Sequence, residues 1–479
     1  MTFVQSLLPT AMQPDHQLPC VPEHKTSHGF DRRALLRRAG AGATLAGLAA
    51  GPLAGRASAS GGDGADGLGP LLPPDANGLA LPPGFTSRVV AVSNQTVPGT
   101  NYVWHRDPDG GATFATDDGG WIYVSNAERG AGLGGVGALR FDAAGNVVDA
   151  YRILSGTTRN CAGGPTPWGT WISCEETGNG RAWECDPYTP NSQGIVRPAM
   201  GVFQMEAAAV DPVDQVIYLT EDRSDGLLYR FRPSNYPDLS SGTLEAAQIL
   251  GAGAIQVGEV RSMTWHPVPD PTVSLGTATR FQVPLATRFN GGEGAWYEGG
   301  TVHITTKGNN RVWRIDTVNQ TIEIIYQLAG SPTPVLSGVD NVYVTPRGDV
   351  YVAEDGGNLE IVAITKSGIA KPIMRLVGVS GSEITGPALS PDLTRLYFSS
   401  QRNPGVTFEV MGPFLGEAPV RPVPAMGHLA AALTSAAVVG FGALALRRSQ
   451  RAEAPPVLPA SASSARSGMR RVFWIPASF

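Results

Sequence analysis

The segment Gly120-Trp121-Ile122-Tyr123-Val124 sets the pattern of this chain: a turn residue is followed by a run of apolar and aromatic residues. Five further segments repeat the pattern: Gly169-Thr170-Trp171-Ile172, Val216-Ile217-Tyr218-Leu219, Thr301-Val302-His303-Ile304, Asp349-Val350-Tyr351-Val352 and Arg395-Leu396-Tyr397-Phe398. Short runs of β-branched and aromatic residues between turns are typical of buried strands. The six segments therefore predict six equivalent β-strands.

The spacing of these strands predicts the architecture. One apolar position can be aligned across the six segments, at Ile122, Trp171, Ile217, Val302, Val350 and Leu396, and the successive intervals are 49, 46, 85, 48 and 46 residues. Strand-rich repeats of about 45 residues are typical of β-propeller blades. The long interval is explained by an insertion at about residues 233–280. We therefore expect an all-β fold, a six-bladed β-propeller; a β-sandwich with a similar number of strands is the alternative.

Composition agrees with a large globular domain rich in turns. The chain has 479 residues, of which 42% are hydrophobic, and it contains 60 Gly and 39 Pro. Its formal net charge is −5. Nucleic-acid-binding proteins normally carry a basic excess, so this class is not favoured.

The N-terminal region predicts export. Arg32 and Arg33 precede an apolar run at residues 39–54, and the small-residue pattern Ala57-Ser58-Ala59 follows. This order is typical of a twin-arginine-type signal peptide, and the basic start of a cytoplasmic helix is the alternative. We expect the export machinery that reads such signals to be a partner, and the mature protein to lie in the periplasm or at the cell surface.

The C-terminal region predicts a membrane anchor. Residues 429–446 carry no charge, and Arg447 and Arg448 follow them. Eighteen such residues can just span a bilayer, and the arginines fit a cytoplasmic end. We therefore expect a C-terminal transmembrane helix; a cleaved sorting helix and a buried Ala-rich helix are the alternatives. The expected organisation is a signal peptide at 1–59, a flexible linker at 60–80, the propeller at 81–415, a Pro-rich linker at 416–428, the transmembrane or sorting helix at 429–446 and a disordered tail at 447–479.

Candidate metal ligands recur about ten residues before each aligned strand position. They are Asp109, Asn160-Cys161, Glu206, Glu293, Asp340 and Glu383. The first strand of a propeller blade lines the central channel, so these residues are expected to meet at one mouth of it. Carboxylates that close together remain ionised only when cations neutralise them. The pattern predicts a metal cluster, and solvated surface acids are the alternative.

A second set of polar residues follows the aligned strands: Asn126, Glu128, Glu175, Glu176, Glu221, Asp222, Glu354, Asp355 and Gln401. Any one of them is more typical of a turn or a cap than of a metal site.

The residue types favour calcium together with iron. Carboxylates suit calcium, whereas a thiolate suits iron or zinc. The three histidines of the domain, His105, His266 and His303, form no HxH or HExxH pair, so a His-rich zinc site is not favoured. The exported chain has three cysteines, and we expect Cys174 and Cys185 to form a disulfide that leaves Cys161 free as a ligand.

The motif Asn160-Cys161-Ala162-Gly163-Gly164-Pro165-Thr166-Pro167-Trp168-Gly169-Thr170-Trp171-Ile172-Ser173-Cys174-Glu175-Glu176 resembles the signature of PhoX-type alkaline phosphatases. Weaker resemblances follow in the expected order at residues 205–208, 292–296, 339–341, 382–387 and 405–410. The chain resembles a short, membrane-anchored member of that family. The resemblance implies a six-bladed propeller and an exported enzyme that hydrolyses phosphate esters at a calcium and iron cluster.

The resemblance also implies which residues bind metal. The matching positions are Cys161, Glu206, Glu293, Asp340 and Glu383, with Glu175 or Glu176 on calcium. In such a site arginines hold the phosphoryl group.

The sequence departs from the family at two positions. Longer members have Arg-Pro-Glu where this chain has Gly291-Gly292-Glu293, and His-Pro-Gly where it has Asn403-Pro404-Gly405. An arginine expected to hold phosphate is therefore missing, and Arg288 or Arg159 is expected to take its place as a catalytic residue. Two other functions remain open: a calcium-dependent propeller hydrolase of the lactonase type, and a surface-anchored binding propeller without catalysis.

Overall fold

A computed structural model describes residues 64–414 of the chain. The predicted signal peptide, Pro-rich linker, C-terminal helix and tail lie outside these residues. Among the residues described, no helix has the length and apolar character needed to cross a membrane.

The described chain consists of antiparallel β-strands arranged as a propeller, which confirms the predicted all-β propeller fold. Sheet 1 contains β3 (Pro108–Ala115), β4 (Trp121–Ala127), β5 (Gly134–Phe141) and β6 (Val147–Thr157). Sheet 2 contains β7 (Asn160–Pro165), β8 (Trp171–Glu175), β9 (Ala182–Cys185) and β10 (Ile195–Val196).

Sheet 3 has nine strands: β11 (Met205–Asp211), β12 (Val216–Glu221), β13 (Leu228–Asn235), β14 (Asp238–Ile249), β15 (Arg261–Pro267), β16 (Gly292–Glu298), β17 (Thr301–Thr306), β18 (Arg311–Asp316) and β19 (Thr321–Gln327). Sheet 4 contains β1 (Leu79–Ala80), β20 (Val339–Val344), β21 (Val350–Glu354), β22 (Glu360–Ile364) and β23 (Ala370–Leu376). Sheet 5 contains β2 (Thr86–Val92), β24 (Ile384–Leu389), β25 (Arg395–Ser400) and β26 (Val406–Met411). Short 3₁₀ turns lie at Gly64–Gly67, Pro198–Met200, Thr279–Phe281 and Lys307–Asn309.

The prediction of six blades is wrong. Four sheets are separate and have four or five strands, but residues 205–327, which the repeat assigned to two blades, form the single nine-stranded sheet 3. The insertion causes the fusion, because its strand β15 pairs with β14 on one side and with β19 on the other. An outer strand leaves backbone hydrogen-bonding groups unpaired, and β15 satisfies such groups on both neighbours.

The repeated apolar segments are the second strands of the repeats: β4, β8, β12, β17, β21 and β25. Every residue of β12 and β21 is buried, because both faces of these strands pack against neighbouring sheets. Sheet 5 packs against sheet 1, where the indole Nε1 of Trp121 donates to the Tyr397 hydroxyl at 3.1 Å. This contact closes the ring of sheets and places the first strands around a common axis.

Part of the predicted flexible linker at 60–80 belongs to the folded domain. The backbone N–H of Ala65 donates to the buried Asp349 carboxylate at 2.9 Å, and β1 pairs with β23 in sheet 4. The next strand, β2, pairs with β26 and completes sheet 5. The N-terminal segment therefore ties the last two sheets together.

The expected disulfide between Cys174 and Cys185 is wrong, and both residues are free thiols. Cys174 lies opposite Ala182 on the neighbouring strand, whereas Cys185 lies opposite Trp171. The two cysteines are therefore offset by three positions, and side chains alternate between faces along a strand. Cys174 packs toward sheet 3 and Cys185 packs toward sheet 1, so their sulfur atoms lie on opposite faces.

Candidate metal centre

A β-bulge places most of the predicted ligands. The register between the first and second strands slips at the position of Asp109, Cys161, Glu206, Glu293 and Asp340. In the last repeat the bulge lies slightly later, and Glu383 directly precedes β24. A bulge bends the strand and re-aims the side chain that it contains. These bulges turn side chains at the start of the first strands toward the channel axis.

Small residues after the ligands allow the first strands to approach one another. A Cβ atom on Gly110 would lie 2.5 Å from the Cα atom of Ala162, and one on Gly294 would lie 2.6 Å from the backbone nitrogen of Val342. The residues after the ligands line one narrow cavity on the propeller axis, and Ala162, Ala207 and Asn341 are among them. Glycine and alanine are therefore required here by close packing of neighbouring backbones.

The structure brings the predicted ligands into one continuous cluster. Four groups of side chains each have ligand atoms within 4.8 Å of one another: Cys161, Glu176 and Glu206; Glu206, Glu293 and Asp340; Asp340, Asp355 and Glu383; and Asp109, Glu128 and Glu383. Glu206, Asp340 and Glu383 each belong to two of the groups. Metal ions bound in neighbouring groups would therefore share ligands.

Burial and mutual repulsion make these groups resist ionisation without metal. Burial, followed by the charge of Glu293, raises the pKa of Glu206 well above its usual range. Burial and the carboxylates of Asp340 and Asp355 raise the pKa of Glu383 to about 9. Burial and the nearby Glu128 carboxylate raise the pKa of Glu176 to about 7. The thiol of Cys161 also has a raised pKa, through burial and the nearby Asp109.

The donor set fits bound cations. Glu206 is fully buried, and neither of its carboxylate oxygens has a hydrogen-bond partner in the described part of the chain. An unpaired buried carboxylate is costly, and a bound cation removes that cost. Most donors in the cluster are carboxylate oxygens, which suit hard cations, and Cys161 adds one softer sulfur.

The paired acids at the ends of the second strands divide into two roles. The first acid of each pair supports the local backbone: Glu175 accepts from the N–H of Thr158 at 2.9 Å, and Glu354 accepts from the N–H of Ser337 at 2.8 Å. The second acid of two of these pairs, Glu176 and Asp355, lies in the cluster. Of the two alternatives Glu175 and Glu176, the structure therefore brings only Glu176 to the centre.

Three basic side chains border the carboxylates. A guanidinium nitrogen of Arg159 lies 3.8 Å from each of Glu128 and Glu176, and Arg402 Nη2 lies 2.7 Å from Glu383 Oε1. Lys307 is the third, and its Nζ atom lies 3.1 Å from Glu293 Oε1. The backbone of Arg159 has a φ of 51°, unusual for a residue with a side chain, and its N–H and C=O are both held by hydrogen bonds.

Arg288, the other predicted catalytic arginine, is not brought to this cluster. Its Nη1 atom donates to the backbone oxygens of Asp225 and Arg280. Its guanidinium group is therefore used to hold the inserted segment. Sequence reasoning did not identify Arg402 or Lys307 as site residues. The available signal was their position just after a second strand, since Lys307 is the first residue after β17 and Arg402 the second after β25.

The comparisons with known proteins agree with the fold. Residues 137–333 match the family described as Alkaline phosphatase PhoX, which confirms the resemblance found in the sequence. The structure of Pseudomonas fluorescens PhoX, solved in complex with vanadate as a transition state analogue, has a TM-score of 0.60 and 16% identity to this chain. That similarity covers 74% of this chain and 99% of the other.

A second solved structure is more distant. The gluconolactonase XC5397 from Xanthomonas campestris has a TM-score of 0.39 and 13% identity, over 72% of this chain and 98% of that one. No curated protein matches the sequence.

Proposed function

We propose, from the match of residues 137–333 to the PhoX alkaline phosphatase family, that this protein is a metal-dependent phosphatase that hydrolyses phosphate esters. The observation that carries the proposal is the ring of buried carboxylates with one cysteine at a single end of the propeller axis. The carboxylates of this ring outnumber the basic side chains beside them, so their mutual repulsion favours bound cations.

The metal ions are proposed to be calcium and iron. Glu206, Glu293, Asp340 and Glu383 supply oxygen ligands, and Cys161 with Glu176 supplies the mixed group that suits iron. When bound, such ions act as Lewis acids toward phosphoryl oxygens. The carboxylates hold the ions, and their burial keeps bulk water from competing.

Arg159 and Arg402 are proposed to bind the phosphoryl group. Their side chains are 51% and 44% exposed, so they can reach a substrate that approaches from solvent. Guanidinium groups bind phosphate with two parallel hydrogen bonds, and they stabilise charge that develops during transfer. Both are tethered to acids of the cluster, which positions them beside the metal ligands.

Chelation tests the proposal directly. We expect the metal-replete protein to hydrolyse p-nitrophenyl phosphate, to fall to the blank rate after chelation and to recover when calcium and iron are returned. A protein that hydrolyses a lactone with calcium alone would instead be a lactonase-type hydrolase. A metal-replete protein that hydrolyses neither ester would be a binding propeller, and both outcomes contradict the proposal.

Replacing Cys161 tests the assignment of iron. Cys161→Ser exchanges a thiol for a hydroxyl, so we expect iron content to fall while calcium is retained, and hydrolysis to fall by about 10-fold or more. Metal analysis of the purified variant measures both ions. Cys185→Ala is the matched control, because Cys185 is buried in the core away from the cluster. Unchanged iron in Cys161→Ser would contradict the assignment.

Export through the twin-arginine route is also proposed, on the order of Arg32, Arg33, the apolar run and Ala57-Ser58-Ala59. We expect Arg32→Lys with Arg33→Lys to retain the protein inside the cell, as measured by fractionation and immunoblotting. The same double substitution at Arg37 and Arg38 is the control. Equal export of the Arg32/Arg33 variant and the wild type would refute this route.

A further inference from the structure

One position recurs in or beside the cluster in the repeats: the residue directly after the second strand. It is occupied by Glu128, Glu176, Asp222, Lys307, Asp355 and Gln401. Four of the six are acids and one is an amide, so five can offer an oxygen atom to a cation. Lys307 is the exception, because an ammonium group has three donors and no acceptor. It cannot be a metal ligand while it remains charged.

Lys307 nevertheless reaches the cluster. Its Nζ atom lies 3.1 Å from Glu293 Oε1, 3.1 Å from Asp355 Oδ2 and 3.6 Å from Asp340 Oδ2. The side chain is 34% exposed, whereas those of Glu293 and Asp340 are only 2% and 6% exposed. The ammonium group therefore lies between these two buried carboxylates and solvent.

The local backbone fixes this placement. The N–H of Lys307 donates to the carbonyl of Gly291 at 2.8 Å. Gly291 has a φ of 68°, and a Cβ atom there would lie 3.4 Å from Asp222 Oδ1 and 3.8 Å from Glu293 Oε1. A side chain at position 291 would therefore point into the space between these carboxylates. Glycine leaves that space free, and Lys307 on the adjacent turn places its Nζ atom beside Glu293.

Metal binding changes what the ammonium group can contact. The three carboxylates that surround it are members of the candidate metal groups. When these oxygens bind cations, a nearby ammonium group is repelled by the cations and loses its anionic partners. The charge then requires another anion, and the phosphoryl group is the anion that the proposed reaction brings to this place.

We propose that Lys307 is a phosphate-binding residue of the metal-loaded protein, acting from the position where the other repeats carry an acid or an amide. This proposal rests on the proposed function, because it assumes that phosphate esters are the substrates. Lys307 supplies a point charge toward the phosphoryl oxygens, whereas Arg159 and Arg402 supply planar, bidentate donors.

Phosphate binding, measured without turnover, tests the proposal. Inorganic phosphate is titrated calorimetrically into metal-loaded wild-type protein, Lys307→Gln, Lys307→Arg and the control Lys366→Gln, whose lysine is exposed and outside the cluster. We expect Lys307→Gln to weaken phosphate binding about 10-fold or more, as for loss of one charge-assisted contact. Lys307→Arg should retain most of the affinity, and Lys366→Gln should match the wild type.

Metal content is measured on the same samples. We expect Lys307→Gln to bind calcium at least as tightly as the wild type, because the substitution removes a competing cation. Wild-type phosphate affinity in metal-loaded Lys307→Gln would overturn the proposal, and so would loss of metal from that variant. If the wild type binds phosphate through Lys307 but hydrolyses no phosphate ester, the proposed function fails while the assignment of Lys307 stands.

Discussion

Glu206→Gln will release metal from the centre and abolish hydrolysis, and it will raise the melting temperature of the metal-free protein. Glu206 belongs to two ligand groups, so its loss weakens both, and we expect metal affinity to fall by at least about 100-fold. In the metal-free protein the same change removes a buried, unpaired carboxylate from a cluster of like charges. A neutral amide avoids that repulsion, so stability should rise by about 1–3 kcal/mol.

Metal analysis, p-nitrophenyl phosphate hydrolysis and thermal melts with and without chelator measure these effects. The matched control is Glu298→Gln, at the opposite end of β16 from Glu293, which should retain metal and activity. A Glu206→Gln protein that keeps its metal would show that Glu206 is not a ligand. A lower melting temperature of the metal-free variant would show that the carboxylate has a structural partner.

Raising the pH will destabilise the metal-free protein and leave the metal-loaded protein much less affected. The pKa values of Asp340, Glu176 and Glu383 are raised by burial and by neighbouring charges to about 6, 7 and 9. The folded state therefore keeps protons that the unfolded state has already lost. The stabilisation that these retained protons provide is fully present below about pH 4, where carboxyl groups of the unfolded chain titrate. It is lost as the pH rises through the pKa values of the folded state.

Bound cations weaken this dependence, because they favour ionised ligands and compete with protons. Between pH 5 and 9 we expect the melting temperature of the metal-free protein to fall by at least about 5 °C more than that of the metal-loaded protein. Thermal melts of both forms across this range measure the difference. Glu383→Gln should reduce the dependence of the melting temperature on pH in the metal-free protein, since the pKa of Glu383, about 9, lies at the upper end of this pH range. Parallel curves for the two forms would contradict the linkage.

The fold could be predicted from the sequence where one short apolar segment repeats. The second strands are buried on both faces, so each contributes a continuous apolar run that survives as a sequence signal. The fusion within sheet 3 left no such signal. It depends on the pairing of Arg261 with Ile322, which is a contact between distant segments. Only one residue of β15 is buried, so the strand lacks the buried apolar face by which a sequence specifies strand pairing.

The site could be predicted from the sequence because its candidate ligands occupy the same position in each repeat. Counting back from the second strand located Glu206, Glu293 and Asp340 without knowledge of the bulges that aim them. Neighbouring acids were harder to separate, because Glu175 and Glu176 differ only in which way each side chain points. The role of Lys307 was hidden for the same reason: its charge is informative only when the three carboxylates around it are known.

Arg288 was predicted to lie in the site, and the structure places its guanidinium group elsewhere. Its sequence position, five residues before Glu293, favoured a role in the site, but its guanidinium group donates to the backbone oxygens of Asp225 and Arg280 instead. Proximity along the chain therefore predicted proximity in space only where a strand fixed the direction.

The pairing of β2 with β26 has a consequence for biosynthesis. β2 is among the first strands to leave the ribosome, whereas its partner ends at Met411. Throughout most of translation β2 therefore has an open hydrogen-bonding edge, which can recruit unwanted strands from other nascent chains. Glu383 also emerges late, so any ion captured by the earlier ligands remains incompletely enclosed until the last sheet is made. The ligand set is therefore complete only after Glu383 and the last sheet have been made.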